Sequence, residues 1–211
     1  VYMVLVAILV ATPIGILASV YLQEYAKQGK VVRVIRFATE CLAGIPSIVY
    51  GLFGGIFFVV ALKLQYSILS GGLTVAIIIL PTIIRSTEEA LKTVPSTYRE
   101  ASLGLGATKF QTLYKVILPS AIPGILSGVI LSIGRVIGES AAILLTAGTV
   151  AKMPLTVFDS ARTLTVHAYL LTKETGDIQT ACGVGIVLIV IVFGLNTIAK
   201  LVAKKLNKAN Y

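Results

Sequence analysis

Residues 99–119, REASLGLGATKFQTLYKVILP, form a polar insert between two long apolar stretches. Gly106 and Pro119 punctuate this insert, which predicts two short helices hinged at Gly106, the second of them ended by Pro119. Apolar residues recur at helical spacing on one face of each helix: Ala101 and Leu105, then Phe110, Leu113, Val116 and Ile117. The pattern is typical of a helix that lies on a membrane, docks into a groove of a soluble partner, or packs on its own bundle.

The composition places the chain among membrane proteins. Of its 211 residues 56% are hydrophobic and 13% are charged, and the mean hydropathy is +0.94; these values exceed those of soluble domains. Each of five apolar segments approaches the roughly 20 residues that cross a bilayer: residues 1–21, 45–62, 69–84, 122–147 and 181–203. We therefore predict an all-α, polytopic transmembrane helical bundle that forms a single domain over residues 1–211.

Lysine and arginine are distributed unevenly about these spans. Most of the 18 lie after the first span, in the central loop and in the tail: Lys27, Lys30, Arg33, Arg36, Arg85, Lys92, Arg99, Lys109, Lys115, Lys200, Lys204, Lys205 and Lys208. The positive-inside rule places the central loop and the C-terminus in the cytoplasm. Five spans then put residue 1 outside, so we expect a sixth span upstream of it.

Other segments carry weaker signals. Residues 22–44 alternate basic and apolar positions at helical spacing, which predicts an interfacial amphipathic helix leading into the second span. Cys41 and Cys182 lie near opposite ends of different spans and are interpreted as unpaired packing residues. His167, in an outer loop over 148–180, is interpreted as solvated, and neither a metal nor a cofactor is expected.

The fourth span carries two charges, Arg135 and Glu139, and on insertion scales each costs about 2.5–3.5 kcal/mol at the centre of a helix. Small and polar residues share one stripe of that helix: Gly124, Gly128, Ser132, Arg135, Glu139, Ala142 and Thr146. Two explanations stay open. Arg135 forms a buried ion pair with Glu139, or it lines an anion pathway in which its guanidinium fork suits tetrahedral oxyanions and Glu139 keeps the anion from binding too tightly.

Arg85 and Glu88, at the inner end of the third span, are three residues apart and can face each other on one side of a helix. Arg85 is then either a positive-inside anchor or part of a gate at the inner mouth. The sequence has no Walker A pattern, since Gly29-Lys30 is followed by Val31. It also lacks a Ser/His/Asp set, an HExxH motif and a cysteine cluster, so we predict a protein that is not an enzyme.

The central insert resembles the EAA motif of permease subunits in ATP-driven importers, whose pattern is Glu-Ala-Ala, three residues, Gly, nine residues, Ile, one residue, Leu-Pro. Ser102 replaces the second Ala and Val116 replaces the Ile. Five residues match in register: Glu100, Ala101, Gly106, Leu118 and Pro119. The resemblance implies a MetI-like importer permease fold in which residues 85–119 form a cytoplasmic loop that couples to an ATP-binding subunit.

Longer stretches resemble the phosphate-specific branch of these permeases, its A-type subunits, notably GIPSIVYGLFG at 44–54 and GRVIGES at 134–140. Charged positions of that branch are matched by four residues, for which the resemblance implies an anion pathway or gate: Arg85, Glu88, Arg135 and Glu139. It also implies a multi-pass subunit of a bacterial or archaeal inner membrane that imports inorganic phosphate. The expected partners are a second permease subunit, a dimer of ATP-binding subunits that hydrolyses the ATP, an extracytoplasmic phosphate-binding protein and membrane lipid, without nucleic acid.

Three alternatives remain at this point. The first is an importer of the same kind for molybdate or sulfate, because Arg135 by itself does not choose among oxyanions. The second is a channel or transporter driven by an ion gradient, with Glu139 as a proton site. The third is a purely structural scaffold, for which Arg135 would have no effect on flux.

Overall fold

A computed structural model describes the backbone of residues 1–209 and the side chains of residues 1–198 and 201. In this part of the chain every regular element is a helix, several of them continued by a π-helical turn. In order these are α1 Tyr2–Val20 with Tyr21–Tyr25, α2 Lys30–Gly44, α3 Ser47–Gly54 with Gly55–Ala61, α4 Ile68–Thr93, α5 Ser96–Gly104, α6 Lys109–Thr112 with Leu113–Ile117, α7 Leu118–Gly138, α8 Ala141–Leu144, α9 Leu164–Leu170 with Leu171–Thr175, and α10 Ile178–Ala209.

Four of the described helices are long and apolar enough to cross a membrane as single spans: Tyr2–Tyr25, Ile68–Thr93, Lys109–Gly138 and Ile178–Ile198. A fifth crossing is available only as the pair formed by Lys30–Gly44 and Ser47–Ala61, which are bent by 98° at Pro46. The all-α transmembrane bundle is therefore confirmed, with the second of the five predicted spans replaced by a bent pair.

That bend explains why the span predicted over 45–62 differs from the structure. Proline disfavours helical backbone in the residue before it, and Ile45 is extended at ψ 132°, so the chain turns between the two helices. The amphipathic α2, predicted within 22–44, is present from Lys30 onward. Since α2 meets α3 at nearly a right angle, it can lie along the surface of a membrane that α3 enters.

The prediction that Pro119 ends the second short helix is wrong. The helix that begins at Lys109 runs without interruption to Gly138. Pro119 lacks the N–H that would bond one turn back and its ring crowds the carbonyl there, but the π-helical turn Leu113–Ile117 shifts the bonding register just before it. The proline is therefore accommodated inside one long helix.

Helix α4 lies at the centre of the bundle, with α1 parallel to it and α7 antiparallel. Close approach depends on small residues, as in other membrane helices. A Cβ placed at Gly15 of α1 would lie 2.6 Å from Cγ2 of Ile83, and one placed at Gly128 of α7 would overlap the side chain of Ser86. The Ser19 hydroxyl also donates to the Ile84 carbonyl oxygen at 2.9 Å. These contacts hold α1 and α7 against the second half of α4.

One end of the bundle, here called the basic end, is where α1 and α4 finish and where α5 and α6 lie. The residues between α8 and α9 lie at the opposite end and fold back onto the start of α4: the N–H of Ile68 donates to the Asp159 carbonyl and that of Leu69 to the Val157 carbonyl, both at 2.9 Å. The Asp159 carboxylate accepts the N–H groups of Thr156 and Leu155 at 2.8 Å, and these bonds lower its pKa.

Two sequence interpretations of the segment 148–180 change with the structure. It contains a helix, α9, rather than loop alone, because Thr163 caps that helix by accepting the N–H of Val166. His167 lies in this helix and is half-buried, so the prediction of a solvated loop residue is wrong. The side chains of Lys200, Lys204, Lys205 and Lys208, on which part of the orientation prediction depends, lie outside the described residues.

Replacing Gly128 with leucine should separate α7 from α4. The added side chain would overlap Ser86, and overpacking of this kind costs about 1–3 kcal/mol. Thermal unfolding of the purified chain in detergent should therefore start at a lower temperature. The matched control is Gly194→Leu in α10, where nothing lies within 4 Å of a built Cβ; equal stability of the two variants would contradict the packing described here.

Candidate functional site

The segment between α4 and α7 contains the two short helices that the sequence predicts. Helix α5 ends at Gly104, and Gly106 takes φ +83°, a left-handed conformation that favours glycine. Thr108 then starts α6 with a capping box, accepting the N–H of Gln111 while the Gln111 side chain accepts the N–H of Thr108. The hinge at Gly106 is therefore present.

Arg99 anchors this segment to the bundle. Its guanidinium donates to the Glu24 carboxylate at 2.7 Å and 3.4 Å and to the carbonyl oxygens of Leu91 and Val94 at 3.2 Å. Both members of the ion pair are largely buried, with 26% and 18% of their side chains exposed. The sequence interpretation counted Arg99 only as a basic residue, because no pattern links it to a carboxylate 75 positions earlier.

Beyond this anchor, α5 and α6 present apolar side chains to the outside. Leu105 is 90% exposed, Phe110 66% and Tyr114 65%, and the rings of Phe110 and Tyr114 are stacked with centroids 6.3 Å apart. The apolar face predicted for the second helix is only partly exposed. Phe110 points outward, whereas Leu113 and Ile117 are buried against α4 and α7. Leu118 of the motif is half-buried. The other four motif residues are exposed: Glu100, Ala101, Gly106 and Pro119.

Helices α2 and α4 are joined at the basic end by two crossed ion pairs. Arg36 of α2 lies 3.3 Å from the carboxylate of Glu88, and Arg85 of α4 lies 3.7 Å from that of Glu40. Arg85 and Glu88 therefore share one polar cavity with these partners, but each pairs with α2 instead of facing the other. The sequence analysis missed Arg36 and Glu40, although an opposite-sign pair one turn apart on each of two helices is a signal for cross-pairing.

Arg135 lies on the exposed side of α7 in a groove between three helices. The groove is lined by Thr82 of α4, by Leu131, Gly134 and Arg135 of α7, and by Val192 and Asn196 of α10. Every Asp and Glu side chain is among the described residues, and none of them lies within 4 Å of the Arg135 guanidinium. Its charge is thus available to a ligand in the groove.

The ion pair between Arg135 and Glu139 does not form. Helix α7 ends at Gly138 and Glu139 has extended backbone, with ψ 134°, so the two residues are not on successive turns of one helix. The Glu139 carboxylate instead accepts the N–H groups of Ser140 and Ala142 at 3.1 Å and 3.2 Å, at the start of α8. Its position resembles that of a helix cap.

The small and polar residues predicted to share one stripe of the fourth span do not all face the same neighbour. Gly128 and Ser132 are buried, and Gly124 and Gly128 meet Ala90 and Ser86 of α4. Arg135 is on a different side, because α7 presents its glycines to α4 and its guanidinium to the groove beside α10. The small residues therefore serve helix packing. Among the residues that the structure describes, no cluster of His, Cys, Asp or Glu has the geometry of a metal site.

These features define a multi-pass membrane protein in which two short helices, α5 and α6, expose apolar side chains at one end of the bundle. Residues 11–209 match the model of the family described as binding-protein-dependent transport system inner membrane component, so the chain belongs to that family. A solved inward-facing structure of the MetNI methionine ABC transporter superposes with a TM-score of 0.80 at 21% identity, over 97% of this chain and 91% of that one. The MetI-like permease fold is confirmed.

Two relatives are similar over most of the chain. The phosphate transport system permease protein PstA of Mycobacterium leprae is 39% identical over 194 residues, which cover 90% of this chain and 64% of that protein. The probable ABC transporter permease protein YqgI of Bacillus subtilis is 39% identical over 186 residues, covering 82% and 63%. The chain thus spans a little under two-thirds of the length of these relatives.

Replacing Glu139 with alanine should destabilise the turn between α7 and α8 by about 1 kcal/mol, the usual cost of removing a helix cap. Glutamine should preserve most of the stability, because its amide oxygen accepts the same N–H groups. The thermal midpoint in detergent measures the difference. Glu174→Ala, at an exposed carboxylate, is the control; a Gln variant as unstable as the Ala variant would contradict a capping role.

Proposed function

We propose that this chain is a transmembrane subunit of an ATP-binding-cassette importer that carries inorganic phosphate into the cytoplasm. The observation that carries the proposal is the guanidinium of Arg135, which is exposed to a groove inside the membrane and has no carboxylate within 4 Å among the described residues. A charge in that position costs several kcal/mol unless it meets water or an anion. A planar donor fork binds tetrahedral oxyanions in two-pronged fashion.

The choice of phosphate rests on the relatives. The Mycobacterium leprae protein, 39% identical to this chain, is named a phosphate transport system permease, and the stretch 134–140 that contains Arg135 resembles the phosphate branch. A molybdate or sulfate importer would use the same guanidinium and is the nearest alternative. A gradient-driven transporter with Glu139 as proton site is less well supported, since backbone N–H groups already occupy that carboxylate.

The exposed apolar surface of α5 and α6 is proposed to dock on an ATP-binding subunit, which would hydrolyse the ATP. Leu105, Phe110 and Tyr114 project outward from a segment that Arg99 fixes to α1 and α4. A partner bound to these side chains would therefore transmit its movement to the helical bundle. The residues expected to couple are those of the motif: Glu100, Ala101, Gly106, Leu118 and Pro119.

Direction of transport and assembly follow from this docking. If the ATP-binding dimer binds at the basic end, that end and the C-terminus are cytoplasmic, and the segment between α8 and α10 faces an extracytoplasmic phosphate-binding protein. A second permease subunit would cover the exposed side of Arg135 and close the pathway. Arg85 and Glu88, held by Glu40 and Arg36, are proposed to form the inner gate. The membrane would be a bacterial or archaeal inner membrane.

Replacing Arg135 with glutamine should abolish phosphate uptake while leaving the assembly intact. Glutamine keeps a polar side chain of similar reach but loses the positive charge and the fork, so we expect uptake to fall at least tenfold. The measurement uses the complete transporter in liposomes, with binding protein loaded with phosphate, sulfate or molybdate. Uptake of phosphate alone by the wild type supports the proposed substrate.

Arg33→Gln is the matched control, because Arg33 is exposed on α2 and makes no side-chain hydrogen bond within the described residues. Wild-type uptake by the Arg135 variant would sink the pathway role. Uptake of another oxyanion would keep the coupling but reject phosphate, and uptake that follows a proton gradient without ATP would reject the importer.

Replacing Gly106 with alanine should weaken coupling to the ATP-binding subunit. A non-glycine residue at φ +83° is disfavoured by about 1–2 kcal/mol, so the angle between α5 and α6 would change. Gly104→Ala is the control in the same exposed segment, where φ is not positive and nothing lies within 4 Å of a built Cβ. We expect substrate-stimulated ATPase activity to fall severalfold in the first variant alone; equal activities would reject a hinge role.

A further inference from the structure

We propose that the π-helical turn Tyr21–Tyr25, which continues α1, relays movement of α5 to the inner gate formed by Arg85 and Glu88. This inference rests on the proposed function and deepens it, because it names the side chains through which a docked ATP-binding subunit would control the gate. The turn is next to both ends of this path. Its Glu24 bonds to Arg99 of α5, and its Leu22 lines the cavity that contains Arg85 and Glu88.

Two consecutive side chains of the turn hold arginines of two different helices. Glu24 accepts hydrogen bonds from Arg99 of α5 at 2.7 Å and 3.4 Å. Gln23, the residue before it, accepts one from Nη2 of Arg36 of α2 at 3.4 Å. Because one rigid peptide unit joins these two acceptors, a displacement of Glu24 also moves Gln23. Arg36 in turn donates to Glu88 at 3.3 Å, which completes a polar path from α5 to the gate.

Gln28 ties Arg36 to the same turn by a second route. Its amide nitrogen donates to the carbonyl oxygen of Leu22 at 3.2 Å, and its amide oxygen accepts from Nη1 of Arg36 at 3.3 Å. All three nitrogens of the Arg36 guanidinium are therefore engaged, Nε by Glu88, Nη1 by Gln28 and Nη2 by Gln23. Because a guanidinium is planar and rigid, Arg36 cannot keep these three partners if the turn moves relative to α4.

The turn has the geometry of an element that can shift. The N–H of Ala26 donates to the Tyr21 carbonyl oxygen at 2.8 Å, the i to i+5 bond of a π-helix, and Ala26 itself is extended at ψ 132°. Turns of this kind are rare and frequently lie at functional sites. Because the helix ends here, a change from the π to the α bonding register would change the directions of Gln23 and Glu24 without moving the rest of α1.

Glu88 makes the gate sensitive to the position of Arg36. Its side chain is only 9% exposed, and a buried carboxylate that loses its partner is strongly destabilised. Arg85 lies three residues away on α4, within reach of Glu88 along the same helix. If Arg36 withdraws, Glu88 can pair with Arg85, which then leaves Glu40 of α2. The two crossed ion pairs between α2 and α4 are thereby exchanged for one pair within α4, and α2 is released.

A purely structural role for these bonds makes a different prediction. If Gln23 and Glu24 only fasten α1 to α2 and α5, each bond contributes separately and the effects of removing them combine. In a relay the two residues are successive links of one path. Once one link is broken, breaking the other has no further effect on coupling.

The test compares phosphate uptake with ATP hydrolysis by the complete transporter in liposomes, supplied with phosphate-loaded binding protein. Gln23→Leu removes an acceptor of Arg36 but leaves the ion pairs of Arg99 and Glu88 in place. We expect the phosphate carried per ATP hydrolysed to fall by about threefold or more, in keeping with one lost hydrogen bond to a charged group. Gln23→Glu keeps an acceptor oxygen and should retain the wild-type ratio. Tyr25→Phe, at an exposed side chain of the same turn, is the control.

Glu24→Leu should lower the same ratio to a similar extent, and combining it with Gln23→Leu should lower it no further. A ratio in the double variant that equals the product of the two single reductions overturns the relay in favour of separate fastenings. A wild-type ratio in Gln23→Leu, or an impaired one in Gln23→Glu, also overturns it.

Gel filtration establishes that each variant assembles, and if Glu24→Leu does not, the two variants of Gln23 decide the question. Failure of the proposed function looks different. The wild-type transporter would then show no ATP-driven uptake of phosphate, whereas failure of the relay leaves that uptake intact and removes only the effect of Gln23→Leu.

Discussion

The close packing of α4 between α1 and α7 is the constraint on which the other features depend. In its most apolar stretch 61% of residues are buried, against 33% for the span of α1, 28% for that of α7 and 6% for α10. Lipid is as apolar as these side chains, so the hydrophobic effect does not drive such helices together and close contact must do so. Glycine and serine provide that contact, and α4 in turn holds Thr82, Arg85 and Glu88 in place.

Much of the fold could be predicted from the sequence because hydropathy reports directly on membrane spans. The helical class, the amphipathic α2 and the hinge at Gly106 all follow from patterns within about 20 residues. The failures have a common origin in backbone geometry that composition does not report. Gly138, followed by Glu139 and Ser140, is a local signal for a helix end, but the apolar residues that resume at Ala141 favoured a span that continues past it. The π-helical turn before Pro119 has no sequence signature of its own.

The sequence could predict which residues belong to the candidate site better than it could predict which of them form ion pairs. Intramembrane charges are rare enough that Arg135 and Glu139 stand out, and the motif residues of the central loop do so by spacing. Which charge meets which is decided by helices far apart in sequence. Arg99 meets Glu24, and Arg85 and Glu88 each meet α2. A single sequence offers no measure of such distances, so the sequence left open whether Arg135 pairs with Glu139, its nearest partner along the chain, and the structure shows that it does not.

The continuity of α6 and α7 gives the protein a mechanical lever. The helix from Lys109 to Gly138 has 30 residues, so at 1.5 Å per residue it is about 45 Å long. Arg135 lies near the far end of this helix, about 39 Å from its first residue, Lys109. If the whole helix tilted by about 10° about Lys109, the Arg135 guanidinium would move by about 7 Å, which is more than the width of a tetrahedral anion. Pro119, which was expected to end the short helix, lies within this long one. Under the proposed docking, a small rotation at the basic end would therefore be carried along the helix to Arg135.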